Sequence, residues 1–281
     1  GNAIRESADR VRSALQQSGF EFPRKRVVVN LAPAGLKKSG ASFDLPIALG
    51  ILAANQKVPQ QNLNDKMFVG ELSLSGKLRP IKGALSIAIL AQQKNCTHLF
   101  LPQENAQEAS VISNLKVIPA DNLQQLVAQL QHNHFIPIRT QNITIKPNET
   151  LDISEVRGQP KARRAMEIVA AGGHNLLMVG APGSGKTMLA KRLPTILPPL
   201  TLKESIEITQ IHSAYAQTNG LLQSRPFRSP HHSISLAGMN GNAQLQPGEA
   251  SLAHNGVLFL DELSEFRRDV LESLRVPLEE G

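Results

Sequence analysis

Apolar residues recur at helical intervals from the start of the chain. Ile4, Ala8, Val11 and Leu15 share one face, and Glu6, Asp9, Arg10 and Arg12 lie off it. Ser18-Gly19 ends this helix. Val27 to Leu31 reads as a strand, and Pro33 to Ser42 as a loop with two glycines and two lysines. Asp44 is placed to cap a second helix, with Pro46 in its first turn and Ile47, Leu49, Ile51 and Leu52 as its apolar residues. Met67 to Ser75 predicts a strand, and Leu74 to Leu78 a tight hairpin. A helix over Ala84 to Gln93, a strand over His98 to Pro102, a short helix over Ala106 to Ser110 and a strand over Leu115 to Ile118 follow. Leu123, Leu126, Val127 and Leu130 make a closing amphipathic helix. This alternation predicts an α/β or α+β domain.

Residues 139–151 are polar, contain Pro147 and Asn148, and read as a linker between a domain over 1–138 and another over 152–281. In the second domain Gln159 to Ala171 is helical and ends at Gly172-Gly173. Leu176 to Val179 is a short apolar run of the kind that forms a buried parallel strand. Met188 to Leu193 reads as a helix ended near Pro194, and Thr201 as the cap of a helix running to about Tyr215. Arg225 to Asn255 is rich in Gly, Pro, Ser and His with little periodicity, and so long a stretch in a compact domain is usually functional. Val257 to Leu260 is a second buried strand, and Arg267 to Val276 a final helix.

Between the first of these strands and its helix lies Gly180-Ala181-Pro182-Gly183-Ser184-Gly185-Lys186-Thr187, which fits the phosphate-loop pattern at every fixed position. The glycines let backbone N–H groups point inward, and the helix N-terminus adds partial positive charge for phosphates. Lys186 would reach the β- and γ-phosphates of ATP, and Thr187 would ligate Mg²⁺. The second strand ends in Asp261-Glu262, which delivers two carboxylates to the sheet edge where ligands bind. Asp261 is expected in the Mg²⁺ shell, and Glu262 as the group that orients or deprotonates the attacking water.

Composition adds bounds. In 281 residues, 41% are hydrophobic, no apolar run reaches membrane-spanning length and no charged-then-apolar leader is found, so no membrane partner is expected. A single cysteine, Cys96, excludes an intramolecular disulfide and fits a reducing cytoplasm. A formal charge of +7 points to an anionic partner such as nucleic acid, although the basic pairs are scattered and no aromatic residues interleave with them. The chain starts at Gly1 and stops directly after a helix, which suggests a piece of a longer protein.

The two motifs and their surroundings resemble the magnesium-chelatase-like branch of the AAA+ ATPases. The resemblance is carried by Asp152-Ile153-Ser154-Glu155-Val156-Arg157-Gly158-Gln159, His174 to Leu177, Arg225-Pro226-Phe227-Arg228-Ser229-Pro230-His231-His232 and Pro247 to Gly256. It implies that Val156, Gly158 and Gln159 lie at the adenine, and that the His-rich segment lies near the pore of a ring. The first domain resembles the Lon protease fold through Gly40 to Leu45, Gly70 to Gly76 and Leu78 to Ile81. Lon uses a Ser–Lys dyad. Ser42 falls near the nucleophile position, but Leu85 stands where the lysine belongs and Lys82 is three residues away, so no peptidase activity is expected.

Together the two halves resemble the ComM/YifB family. This implies an α/β chain: a Lon-protease-like (ribosomal S5 domain 2-like) α+β domain, then a truncated P-loop AAA+ α/β domain. It implies a cytoplasmic, hexameric, ATP-dependent DNA motor for branch migration in homologous recombination and natural transformation, acting on branched or single-stranded DNA. A chelatase-type ATPase that remodels a protein partner is the alternative, and an ATP-dependent Lon-like protease, opposed by Leu85, a further one. His231 and His232 are expected near phosphate, DNA or a neighbouring subunit rather than on a metal, and Arg225 and Arg228 as DNA or intersubunit contacts or plain surface charge. No sensor-1 strand, arginine finger or helical lid is found, so the chain alone is expected to hydrolyse ATP poorly.

Overall fold

The computed structural model describes residues 2–31, 41–139, 151–216, 218, 220–243 and 246–280. It is a mixed α/β structure whose chain divides into two compact units, Gly1–Asn142 with Gln217–Gly220, and the remainder. Among the described residues no helix is long and apolar enough to cross a membrane. The expected linker lies almost wholly outside the described residues, as does most of the loop expected over 33–42.

The first unit opens with α1 (Asn2–Gln17), which packs its Val11, Ala14 and Leu15 face on α2 (Asp44–Ala54). Asp44 is not the cap expected of it. Phe43 holds the N-cap position, and the Asp44 carboxylate, fully buried, accepts from Ser7 Oγ (2.6 Å), Arg10 Nε (2.8 Å) and Leu72 N (3.4 Å). A carboxylate out of water needs several donors, and here it ties α1 to α2 and to the hairpin. The Arg10 guanidinium is held above its usual range by that bond.

Three strands, β1 (Lys66–Phe68), β4 (His98–Pro102) and β5 (Lys116–Ala120), make a parallel sheet in the order β1-β4-β5. Between them in sequence, β2 (Glu71–Leu72) and β3 (Leu78–Arg79) form an antiparallel hairpin. The helices α3 (Ala84–Gln93), α4 (Gln103–Ala109) and α5 (Leu123–His132) complete the unit. The single strand expected over Met67 to Ser75 is thus two, because the chain leaves the sheet at Gly70, whose N–H donates to Ser42 O. The strand expected over Val27 to Leu31 pairs with nothing among the described residues, and Val28 is 77% exposed. A β-branched run has the propensity for a strand but needs a ladder partner to be one.

His98 stacks in an aromatic cluster with Phe100 and Phe135. Burial, then Lys116 and Lys66 on the flanking strands, push its imidazole below 6.5. The folded state therefore favours the neutral ring, while the unfolded chain takes up a proton near pH 6.5. That stability is complete above about pH 6.5 and is lost as pH falls through the lower folded value. Thermal melts should show the first unit weakening below about pH 6.5, and His98→Asn should flatten the decline. A variant as acid-sensitive as its parent would refute this.

The second unit runs through α6 (Pro160–Gly172), α7 (Lys186–Ile196), α8 (Leu202–Tyr215), β6 (Phe227–Arg228), α9 (Leu236–Asn240), α10 (Glu249–Leu252), β7 (Val257–Leu258), α11 (Arg268–Ser273) and α12 (Arg275–Glu280). Thr201 caps α8 in a reciprocal box with Glu204, whose carboxyl is held low by the Thr201 N–H and hydroxyl. β6 and β7 pair in parallel. The run Leu176 to Val179 forms no ladder, and Leu177 and Val179 are 72% and 90% exposed. A parallel strand is buried only between sheet neighbours, and the described residues bring it none. Between it and β7 lies a cavity of 240 Å³ walled by Met166, Met178, Leu193 and Leu258. The strand expected over Val257 to Leu260 has two laddered residues and is half-buried, with β6 on one side only.

Candidate nucleotide-binding site

The loop from Gly180 to Gly185 turns through two left-handed glycines, Gly183 (φ 75°) and Gly185 (φ 87°), where a side chain would be strained. Gly185 is also the N-cap of α7, and no side chain caps that helix. Its first N–H groups are therefore available to an anion together with those of the loop. The Lys186 ammonium bends over the loop and donates to Gly180 O (2.8 Å) and Ala181 O (3.0 Å). A phosphate would offer it a charged acceptor in place of two neutral ones. Ser184 N–H closes the turn on Ala181 O, and Pro182 sits exposed at its tip.

The acid strand meets this loop. Thr187 Oγ1 donates to Asp261 Oδ2 at 2.9 Å, across 74 positions of sequence. Glu262 follows in the left-handed region (φ 53°), its N–H donating to Asp261 Oδ1. A non-glycine residue held there costs about 1–3 kcal/mol, a strain that collects at functional sites. The turn swings the Glu262 side chain into solvent, 67% exposed, with its carboxylate 3.4 Å from His232 Nδ1. The His231 ring leans on His232 at 4.0 Å. A hydroxyl and a carboxylate side by side suit Mg²⁺, which binds through one or two protein oxygens and completes its octahedron with phosphates and water.

The 152–159 segment is fastened to the loop. Gln159, itself left-handed (φ 52°), donates from Nε2 to Ser184 O at 3.0 Å. Arg192 of α7 donates to Asp152 O and to Glu155. Val156 is 1% exposed and packs with Met166 and Leu189, so its side chain belongs to the core and its main chain is what remains for a ligand. Gly158 is exposed beside it.

Arg225 and Arg228 are both engaged within the fold. Arg225, 12% exposed at its side chain, donates to Pro198 O, Asn255 O and Glu204. Arg228 forks onto Glu249 with two bonds of 2.6 Å, which holds its guanidinium above the usual range. Each lies in a polar segment without periodicity, where sequence gives no sign of its partner. The Gln159 hook and the His232–Glu262 contact were also unforeseen, since both join residues far apart in sequence. In the first unit, Leu85 is fully buried on α3, and its N–H donates to the Glu108 carboxylate at 3.0 Å.

Residues 152–281 match the family described as "Magnesium chelatase, subunit ChlI", and residues 1–105 match "Subunit ChlI of Mg-chelatase". The uncharacterized protein YifB of Salmonella typhimurium is 48% identical over 281 residues, 99% of this chain and 55% of that protein. The competence protein ComM of Haemophilus influenzae is 46% identical over 286 residues, 99% of this chain and 56% of that protein. Lon protease 2 of Bacillus subtilis is 27% identical over 128 residues, 45% of this chain and 23% of that protein. The chain thus spans about half the length of its full-chain relatives.

Proposed function

The chain belongs to the ComM/YifB family of magnesium-chelatase-like proteins, and from that premise we propose that its second unit is an AAA+ ATPase module of an ATP-driven DNA motor. The observation that carries the reading is the Thr187–Asp261 bond, which puts a hydroxyl and a carboxylate together at the N-terminus of an uncapped helix behind a phosphate loop. Bound Mg²⁺-ATP supplies the phosphoanhydride to be broken and a cation that offsets charge on its oxygens. The residues do the rest. The N–H groups of Gly183, Gly185, Lys186 and Thr187 would hold phosphate oxygens, and Lys186 would turn from the loop carbonyls to the terminal phosphates. Thr187 and Asp261 hold the cation, and Glu262 orients water and takes its proton. Val156, Gly158 and Gln159 flank the base through the hook on Ser184.

At the level of the whole protein we read a cytoplasmic motor that works as a homo-oligomeric ring, a hexamer, on branched or single-stranded DNA in recombination and transformation. The competence protein among its relatives supports this. The Lon protease similarity supports a Lon-like first domain, and buried Leu85 in place of a lysine supports a domain without peptidase chemistry. A second reading, a chelatase-type ATPase that remodels a protein partner, is favoured by family descriptions that match both units.

ATP hydrolysis with and without branched DNA, on the chain alone and extended to its relatives' length, separates the two. DNA should raise turnover, and Lys186→Ala should lower it by about 10²–10³-fold, the scale of losing one charge-stabilising group. Turnover that needs Lys186 but ignores DNA would sink the motor reading in favour of the remodelling one.

A further inference from the structure

The parallel register of the first sheet sets Lys66 opposite His98, and His98 opposite Lys116. Registered partners share a face, and strands lie about 4.8 Å apart, so three basic groups stand within about 10 Å. Two positions further along the same face, Phe68, Phe100 and Ile118 run into the core. Phe135 leans over the row, half-buried, its ring 5.4 Å from His98 and 5.6 Å from Lys66 Nζ. Exposed Lys57 is tied to the last turn of α5 by Gln131, which donates to Lys57 O, and exposed His132 and His134 follow there. α5 carries no acidic residue. Among the described residues, Lys66, His98 and Lys116 have no carboxylate at salt-bridge distance.

Lys66 and Lys116 stand on either side of the neutral His98, like charges about 10 Å apart that repel one another. A polyanion laid across the row would turn that repulsion into attraction, and would raise the proton affinity that Lys66 and Lys116 depress at His98. The half-exposed ring beside the cations adds a face on which a base can stack, which an acidic peptide would not use. We propose that the Lys66–His98–Lys116 row with Phe135 is a docking surface for single-stranded nucleic acid. The proposal rests on the reading that DNA is this protein's partner, and adds where on the first unit it is held.

The test is anisotropy of a labelled oligo(dT) with the whole chain over a range of salt. Lys66→Gln with Lys116→Gln should weaken binding at least tenfold at low salt. It should also lower the log–log salt slope by about 1.4, since each single-strand phosphate contact contributes about 0.7. Its melting temperature should equal or exceed the parent's, which separates lost contacts from lost fold. Phe135→Leu, which keeps an apolar side chain in place, should weaken binding several-fold with the slope unchanged. Lys94→Gln with Lys161→Gln, the same charge change at exposed sites elsewhere, should stay near the parent. A parent that binds no nucleic acid would overturn the DNA reading itself. A parent that binds while the Lys66/Lys116 pair matches it, or does no worse than the control pair, overturns only this surface. Polyglutamate competing as well as oligo(dT) would overturn the commitment to a nucleic acid.

Discussion

Glu262→Gln should bind ATP much as the parent does and turn it over about 10²–10⁴-fold more slowly, the range for removing a general base. The geometry separates the two effects. Glu262 makes no bond to the phosphate loop, and two-thirds of its side chain faces solvent, so the groups that would hold nucleotide are left intact. Glutamine keeps the shape and the contact with His232 but accepts protons poorly. Equilibrium binding of a fluorescent ATP analogue beside phosphate release, in the chain extended to its relatives' length, would show the split. Equal losses in both would mean that Glu262 supports the loop. Unchanged turnover would remove it from the chemistry.

Arg10→Met should destabilise the first unit by about 3–5 kcal/mol, the usual result of leaving one member of a buried ion pair alone. Asp44 is completely enclosed, whereas Arg10 keeps 22% of its side-chain surface in water, so the stranded charge would be the carboxylate. Ser7 and the Leu72 N–H still donate to it, but neither carries charge. Adding Asp44→Asn should restore much of the loss, because no ion is then buried: the amide oxygen can accept from the Leu72 N–H, and the amide NH2 can donate to the Ser7 hydroxyl, which accepts as well as donates. Urea unfolding followed by exchange of first-unit amides reads this without assuming that both units melt together. A double variant no better than Arg10→Met would show that Arg10 acts through packing of its stem rather than its charge.

Where local signals agreed, sequence placed elements closely. α3 and the strand His98–Pro102 have the boundaries that periodicity predicts, and the Thr201 cap opens α8 as expected. Both halves of the candidate site were visible as motifs, the phosphate loop because phosphate binding demands glycine at fixed spacings and Asp261-Glu262 because it closes an apolar run. What sequence hid was partnership. Leu176 to Val179 has the composition of a buried strand, yet burial is conferred by neighbours and not by the run itself. Arg225 and Arg228 look like free cations until Glu204 and Glu249 are seen beside them. The basic row of the first sheet joins residues 66, 98 and 116, which no window along the chain contains.

The burial of Leu85 bears on history as well as chemistry. By resemblance, its position is where a Lon-type dyad would carry its lysine. A lysine restored there would start from a fully enclosed site whose main-chain N–H already engages the Glu108 carboxylate. A nearby carboxylate favours the ammonium form, while a dyad needs the free amine. One codon change would therefore not bring peptidase chemistry back. The surroundings would have to be rebuilt first, at a cost to the fold and with no activity gained on the way. Hydrophobic packing closed over that position would therefore act as a ratchet, holding a lysine-free domain to work other than peptide cleavage.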